Sequence, residues 1–362
     1  MLSDIDYMDR ALQLAARGRG RTSPNPMVGA VVVAPDGAIV GQGFHERAGE
    51  PHAEIRALND AGGRARGASL YCTLEPCAHV GRTGPCAVRI VEAGVTRVVA
   101  AMEDPNPLVS GRGFRYLQQH GVAVEVGVHQ EAASRLNRPF LTLMRLGRPF
   151  VIMKAATSLD GFMAAKPGAR TNLSSPESHQ HAHRLRAEVD AIAVGSETIL
   201  IDDPLLTVRG VCRSRPLLRV IFDRRLRIDP AARIFSTLET GPVMIMTTSA
   251  GIAAQPARAR QLEAAGARLE AIESGDLAAA LAALARLETT SVLLEGGARI
   301  HRAAWEAGLV DAVHLYVAPV NLGPEGVPWL DTKSFSSAAL AERRIQACGC
   351  DIFTEGYVQR SH

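Results

Sequence analysis

The chain is poor in lysine, aromatics and cysteine. Only three of its 40 basic residues are lysines, Lys154, Lys166 and Lys333. The rest are arginines, a skew that with the abundant alanine reads as coding bias rather than chemistry. Aromatic residues make up 4% of the 362 positions, and the net charge is only +3. Proteins that grip nucleic-acid strands need basic grooves and stacking rings, so no nucleic-acid partner is expected. So mild a charge also implies no membrane-surface partner. No apolar run reaches the roughly 18 residues of a membrane span. Residues 1–17 include Asp4, Asp6 and Asp9 and lack a basic start, an apolar core and a cleavage site, so they do not read as a signal peptide. Six cysteines are too few for a disulfide scaffold. The expected compartment is the reducing cytoplasm, where clustered cysteines more often bind metal. There is no G-x-G-x-x-G and no Walker A motif, which excludes a standard Rossmann site and a P-loop. Internal repeats and long low-complexity segments are also lacking.

What is present is enough for two domains at about 100–200 residues each. Residues 2–17 have helical spacing, with Ile5, Met8, Leu12 and Ala15/Ala16 on one face. A hairpin is expected from 28–34 and 38–44 around Pro35-Asp36-Gly37. Helices at 53–61, 86–93 and 113–120 then alternate with strands at 69–73, 95–101 and 122–126. That order predicts a three-layer α/β unit with a largely parallel sheet. The unit ends near Arg145-Leu146-Gly147-Arg148-Pro149, which divides the chain into 1–147 and 149–362. After a strand opening at Phe150, strands are predicted at 191–194, 217–222, 243–247, 267–272, 291–294 and 312–318. Helices are predicted at 176–187, 258–265, 277–287 and 298–307, with Gly266 and Gly308 as stops.

The strongest chemical signal is Pro51-His52-Ala53-Glu54, followed by Glu75-Pro76-Cys77 and Gly84-Pro85-Cys86. One histidine and two cysteines suit tetrahedral Zn²⁺ with a fourth position left for water. Such a site lowers the pKa of that water towards ~7. Glu54, two residues after the histidine at a helix start, can reach the water without ligating the metal. It can then carry protons to a leaving amine. H-x-E with a later P-C-x-x-C is the signature of zinc nucleobase deaminases. Here eight residues, not two, separate the cysteines. Cys86 at a helix N-terminus favours a thiolate. The competing readings are a structural zinc in a non-catalytic binding module, and a nucleic-acid base deaminase. His79 as a fourth ligand would close the site to water, so it reads as a substrate contact or a solvated loop residue. Cys72, Cys212, Cys348 and Cys350 read as structural. Lys154 ends a predicted strand and reads as a snorkelling residue. Taken alone, Arg186 reads equally as a solvated helix-face residue.

These stretches resemble the bifunctional deaminase/reductase family of riboflavin biosynthesis. The resemblance is carried by Pro24-Asn25-Pro26-Met27-Val28-Gly29, Gly49-Glu50-Pro51-His52-Ala53-Glu54, Thr73-Leu74-Glu75-Pro76-Cys77-Ala78-His79, Gly81-Arg82-Thr83-Gly84-Pro85-Cys86 and Asp104-Pro105-Asn106-Pro107. In the second half it is carried by Ser158-Leu159-Asp160-Gly161, Leu185-Arg186-Ala187, the run from Asp202 to Arg209, and Glu295-Gly296-Gly297. The long insert between the cysteines is that family's own form. The resemblance implies a cytidine-deaminase-like zinc domain followed by a dihydrofolate-reductase-like NADPH domain. The first would deaminate 2,5-diamino-6-(5-phosphoribosylamino)pyrimidin-4(3H)-one. The second would reduce the ribose of the resulting aminouracil to a ribityl chain. A homo-oligomer is expected. By the same resemblance His52, Cys77 and Cys86 ligate zinc and Glu54 shuttles protons. Asn25, His45 and Arg82 contact the deaminase substrate. Ala156, Thr198, Asp202 and the turn Gly297, Ala298, Arg299, Ile300, His301, Arg302 and Ala303 contact the cofactor. Arg186, Leu206, Arg209 and Glu295 contact the reductase substrate. One loop departs from the family, with Arg170 for a usual serine and Asn172 for a usual tryptophan. A deaminase fused to a non-reducing second domain is therefore the alternative.

Overall fold

The computed structural model describes residues 2–78, 84–107, 109–330 and 335–359. It divides into two compact units, 1–147 and 148–362.

The first unit opens with helix α1 (Asp4–Ala16), whose Ser3 hydroxyl accepts the Asp6 N–H while the Asp6 carboxylate accepts the Ser3 N–H. This reciprocal cap satisfies two otherwise orphaned donors. Tyr7, Met8, Ala11, Leu14 and Ala15 face inward. The expected face was rotated from this one, since Ile5 is 55% exposed. The reason is close packing on strand β1 (Gly29–Val33). A Cβ on Gly29 would stand 2.0 Å from the Ala11 carbonyl oxygen, so the alanine stripe lies on the strand. Strand β2 (Ile39–Phe44) pairs antiparallel with β1. Helix α2 (Ala53–Ala61) packs against both strands. Strand β3 (Ser69–Cys72), helix α3 (Cys86–Glu92), strand β4 (Arg97–Ala100), helix α4 (Arg112–Gln119) and strand β5 (Ala123–Val126) follow. The sheet order is β2-β1-β3-β4-β5. Only β3-β4-β5 is parallel, because β1 runs antiparallel to both neighbours. The largely parallel sheet expected here is thus a mixed one. Helices α5 (Gln130–Leu136) and α6 (Arg138–Leu146), which sequence spacing did not reveal, complete the unit.

The second unit runs through β6 (Phe150–Thr157), β7 (Phe162–Ala164), α7 (Pro176–Glu188), β8 (Ala191–Gly195), α8 (Ser196–Asp202), β9 (Leu218–Phe222) and β10 (Val243–Thr247). It continues with α9 (Ser249–Ala254), α10 (Pro256–Ala264), β11 (Ala267–Ala271), α11 (Leu277–Arg286), β12 (Ser291–Leu294), α12 (Ala298–Glu306) and β13 (Ala312–Val317). The last strands are β14 (Val327–Pro328), β15 (Leu340–Cys348) and β16 (Asp351–Val358). The order β11-β10-β9-β8-β12-β6-β13-β16-β15 is parallel as far as β13 and antiparallel beyond it. Near-continuous apolar runs such as Val-Met-Ile-Met-Thr of β10, all buried, are what a sheet covered on both faces requires. The carboxyl ends of β8, β9, β10 and β12 point to one side, where open α/β sheets bind ligands.

Candidate active sites

His52 caps α2, and Glu54 occupies its first turn. Gly43 lets that turn lie close on β2, since a Cβ there would stand 2.5 Å from the Ala53 carbonyl oxygen. Cys77 lies in the segment after β3, and Cys86 is the first residue of α3. His52 Nδ1 stands 3.6 Å from Cys77 Sγ and 3.3 Å from Cys86 Sγ. All three ligand atoms lie within 4.8 Å of one another. Tetrahedral zinc with Zn–N and Zn–S bonds of ordinary length sets its ligand atoms about 3.6 Å apart, so this donor set fits the ion. The Cys86 N–H also donates to Cys77 Sγ at 3.4 Å.

The electrostatics follow from burial and these contacts. The Cys77 thiol is pulled down, first by its hydrogen bond with the Cys86 thiol and then, against burial, by His52. Glu54 is buried and hydrogen-bonds the Cys86 thiol, and burial pushes its carboxyl up. His45 stands edge-on to His52, with ring centroids 5.4 Å apart. Its Nε2 is 3.0 Å from Asn25 Nδ2, an amide donor, and its Nδ1 faces the Pro51 carbonyl at 3.4 Å. The amide donor makes Nε2 the acceptor and leaves the ring proton on Nδ1. Asn25 and His45 therefore sit at the edge of the His52 cluster. Arg82 and His79 lie outside the described residues.

In the second unit, Arg186 on α7 grips Glu295 at two points. Its Nε and Nη2 each donate at 2.8 Å, while Nη1 donates to the Thr207 carbonyl at 3.0 Å. Arg186 is thus paired and largely buried, not a solvated helix-face residue. Lys154 Nζ reaches within 3.9 Å of Glu295 and lies 5.4 Å over the Tyr316 ring. This corrects the snorkelling reading, because the register of β6 turns the ammonium towards the carboxylate. Burial pushes the Glu295 carboxyl up, but Arg186 and Lys154 outweigh it and hold the group down at about 2. Leu206 is buried with φ of +52°, a strained value for a branched residue. The Arg209 N–H donates to His183 Nδ1 at 3.3 Å.

A cleft of about 590 Å³ opens at the strand ends. Of the expected cofactor residues, Thr198, Gly297, Arg299, Ile300 and Ala303 line it. Ala156 packs instead on the Tyr316, Cys348 and Phe353 cluster. The His301 side chain is turned away from solvent. The Trp329 indole N–H donates to its Nδ1 at 3.0 Å, and its Nε2 faces the Leu294 carbonyl at 3.1 Å. The Gly296 N–H also points at the His301 Nε2 at 3.1 Å, and burial pulls the ring's pKa down to about 4. Its ring braces the Gly296-Gly297 turn from beneath and does not face the cleft. Asp202 ends α8, and the charge of Arg170 lowers its carboxyl against a larger upward push from burial. The other variant loop residue, Asn172, meets His179 Nε2 through its Oδ1 at 3.2 Å. Sequence reasoning missed Arg224, Arg225 and Arg227, which line the cleft after β9. Their only sequence signal was a basic cluster following an apolar run. Cys72 and Cys348 are buried, whereas Cys212 and Cys350 are exposed. Among the described residues no helix is long and apolar enough to cross a membrane.

Residues 149–354 match the family model of the RibD C-terminal domain, and residues 1–102 match that of the cytidine and deoxycytidylate deaminase zinc-binding region. The chain is 41% identical over 357 residues to the riboflavin biosynthesis protein RibD of Aquifex aeolicus, covering 97% of this chain and 98% of that one. It is 41% identical to RibD of Escherichia coli over 90% of each chain. Among solved structures, Acinetobacter baumannii RibD superposes with a TM-score of 0.87 at 36% identity, covering 99% of both chains. A Thermotoga maritima protein described as a diaminohydroxyphosphoribosylaminopyrimidine deaminase/5-amino-6-(5-phosphoribosylamino)uracil reductase superposes with a TM-score of 0.84 at 31% identity, covering 98% and 99%. The chain belongs to the RibD family of riboflavin biosynthesis proteins, bifunctional enzymes that join a zinc-binding deaminase to a reductase.

Proposed function

We propose that residues 1–147 deaminate 2,5-diamino-6-(5-phosphoribosylamino)pyrimidin-4(3H)-one and that residues 149–362 reduce the ribose of the product to a ribityl chain with NADPH. The observation that carries the first half is the convergence of His52 Nδ1, Cys77 Sγ and Cys86 Sγ beside the buried Glu54. Those three side chains hold zinc, which when bound makes water nucleophilic at neutral pH. Glu54 takes a proton from the attacking water at a carboxylate oxygen and passes it to the departing amine. Asn25 and His45 orient the pyrimidine through hydrogen bonds. Arg82 pairs with the phosphate tail, for which a guanidinium is well shaped.

In the second unit, Arg186, Leu206, Arg209 and Glu295 hold the sugar phosphate. The cofactor supplies the hydride. Thr198, Asp202 and the cleft-lining Gly297, Arg299, Ile300 and Ala303 of the 297–303 turn seat it, with backbone N–H groups at the start of α12 facing its phosphates. Arg224 and Arg225 on the cleft wall favour NADPH, since a guanidinium suits the additional phosphate. The enzyme works in the cytoplasm on a small molecule, without a nucleic-acid partner, as a homo-oligomer.

The test is a metal count followed by sequential product analysis on one sample. The expected result is one zinc per chain, conversion of the diaminopyrimidine to the aminouracil, and then NADPH oxidation to the ribityl product. Deamination without NADPH oxidation by zinc-loaded protein would instead mark a non-reducing second unit. Loss of binding with rising salt to RNA or DNA would revive a nucleic-acid substrate.

A further inference from the structure

Glu75 is not a metal ligand, yet it ties the ligand segment to a distant loop. Its Oε2 accepts the Asp104 N–H at 3.2 Å and the Gly111 N–H at 2.9 Å. Its Oε1 accepts the Gly113 N–H at 2.8 Å and the Phe114 N–H at 3.4 Å. Gly111 caps α4, and Gly113 and Phe114 are in its first turn, so Glu75 supplies from outside the acceptors that helix lacks. The two carboxylate oxygens of Glu75 share these four N–H donors between them.

Glu75 is separated from Cys77 by Pro76 alone, whose fixed φ leaves few soft torsions between the carboxylate and the sulfur. The helix start abuts the same segment, since a Cβ on Gly113 would stand 1.9 Å from the Pro76 carbonyl oxygen. On the far side of this tie, Val109 packs with Ile55 against Cys77 and Cys86. Val109 and the start of α4 thus form a wall of the metal cluster, and Glu75 is buried where that wall is pinned to it.

We propose that Glu75 is a positioning residue for deamination, setting the wall made by Val109 and the start of α4 against the ligand segment so that the substrate meets a preformed site. This rests on the deaminase reading above. The experiment uses the full-length, zinc-loaded chain and the isosteric variant Glu75→Gln. Its amide turns an NH₂ group onto two of the four N–H donors.

The expected result is one zinc per chain, unchanged reductase turnover, a KM for the diaminopyrimidine raised about tenfold or more by the displaced wall, and a kcat within about threefold. Glu75→Asp keeps two acceptor atoms on a shorter arm and should recover part of that KM. It also carries the same readouts if the amide variant fails to fold. A KM within about twofold of wild type at full zinc occupancy overturns the proposal. So does a loss of rate that follows zinc loss alone with KM unchanged. If wild-type protein does not deaminate at all, the function reading fails instead.

Discussion

Arg186 and Glu295 meet through two parallel hydrogen bonds of 2.8 Å, with Lys154 as a second cation on the same carboxylate. Arg186 belongs to α7 and Glu295 follows β12, so the pair also staples helix to sheet. Removing the guanidinium in Arg186→Ala leaves a buried carboxylate opposite Lys154 alone. A cost of about 3–5 kcal/mol to the second unit is expected, together with loss of reduction but not of deamination. Denaturant unfolding followed by tryptophan fluorescence measures it, because both tryptophans, Trp305 and Trp329, lie in that unit.

The same pair sets an acid limit. The folded-state pKa of Glu295, about 2, lies below the unfolded value of about 4.3. Its contribution is therefore present above about pH 4.3 and is lost as pH falls towards about 2. Unfolding free energies measured down this range should drop more steeply for wild type than for Glu295→Gln. Parallel slopes would deny the pair this role.

Glu54→Gln should abolish deamination by about 10²–10⁴-fold while the zinc content stays intact. Chelation should remove deamination as well and spare NADPH oxidation, because the two sites lie in separate units. Retained deamination in the variant would take Glu54 out of the proton path.

Arg224→Ala combined with Arg225→Ala should raise the KM for NADPH by about tenfold or more and leave that for NADH nearly unchanged. Paired steady-state kinetics with the two cofactors checks this. An equal rise for both would place the extra phosphate elsewhere.

Arg219 is fully buried in β9, and among the described residues its guanidinium hydrogen-bonds no carboxylate. Its guanidinium donates to the carbonyls of Leu205, Ile234, Thr237 and Gly241 and to the Thr237 hydroxyl. Arg219→Ala strips several acceptors at once, and a loss of about 3 kcal/mol or more is expected in the same fluorescence assay. The Leu205 contact borders the strained Leu206, so the KM of reduction should rise too.

Local spacing made the residues that could hold a metal legible. His52 and Glu54 are two residues apart at a helix start, and Cys86 opens another helix behind a proline; such arrangements are written within one turn of chain. The buried parallel strands were legible for a similar reason, since covering both faces demands unbroken apolar runs. The terminal hairpin was not, because β15 is exposed along its middle, through Glu342, Arg343 and Arg344 to Ile345 and Gln346. With little burial there is little periodicity to read.

Chain order and residue type therefore determined which chemistry the protein carries, because ligand spacing, helix caps and apolar runs act between near neighbours. Which groups face each other across the fold was decided by sheet order and register. The four N–H groups on Glu75, the ammonium of Lys154 on Glu295, and the inward turn of His301 all join segments distant in sequence. No local pattern specifies such pairs, since their energy comes from burial that exists only once the layers have closed.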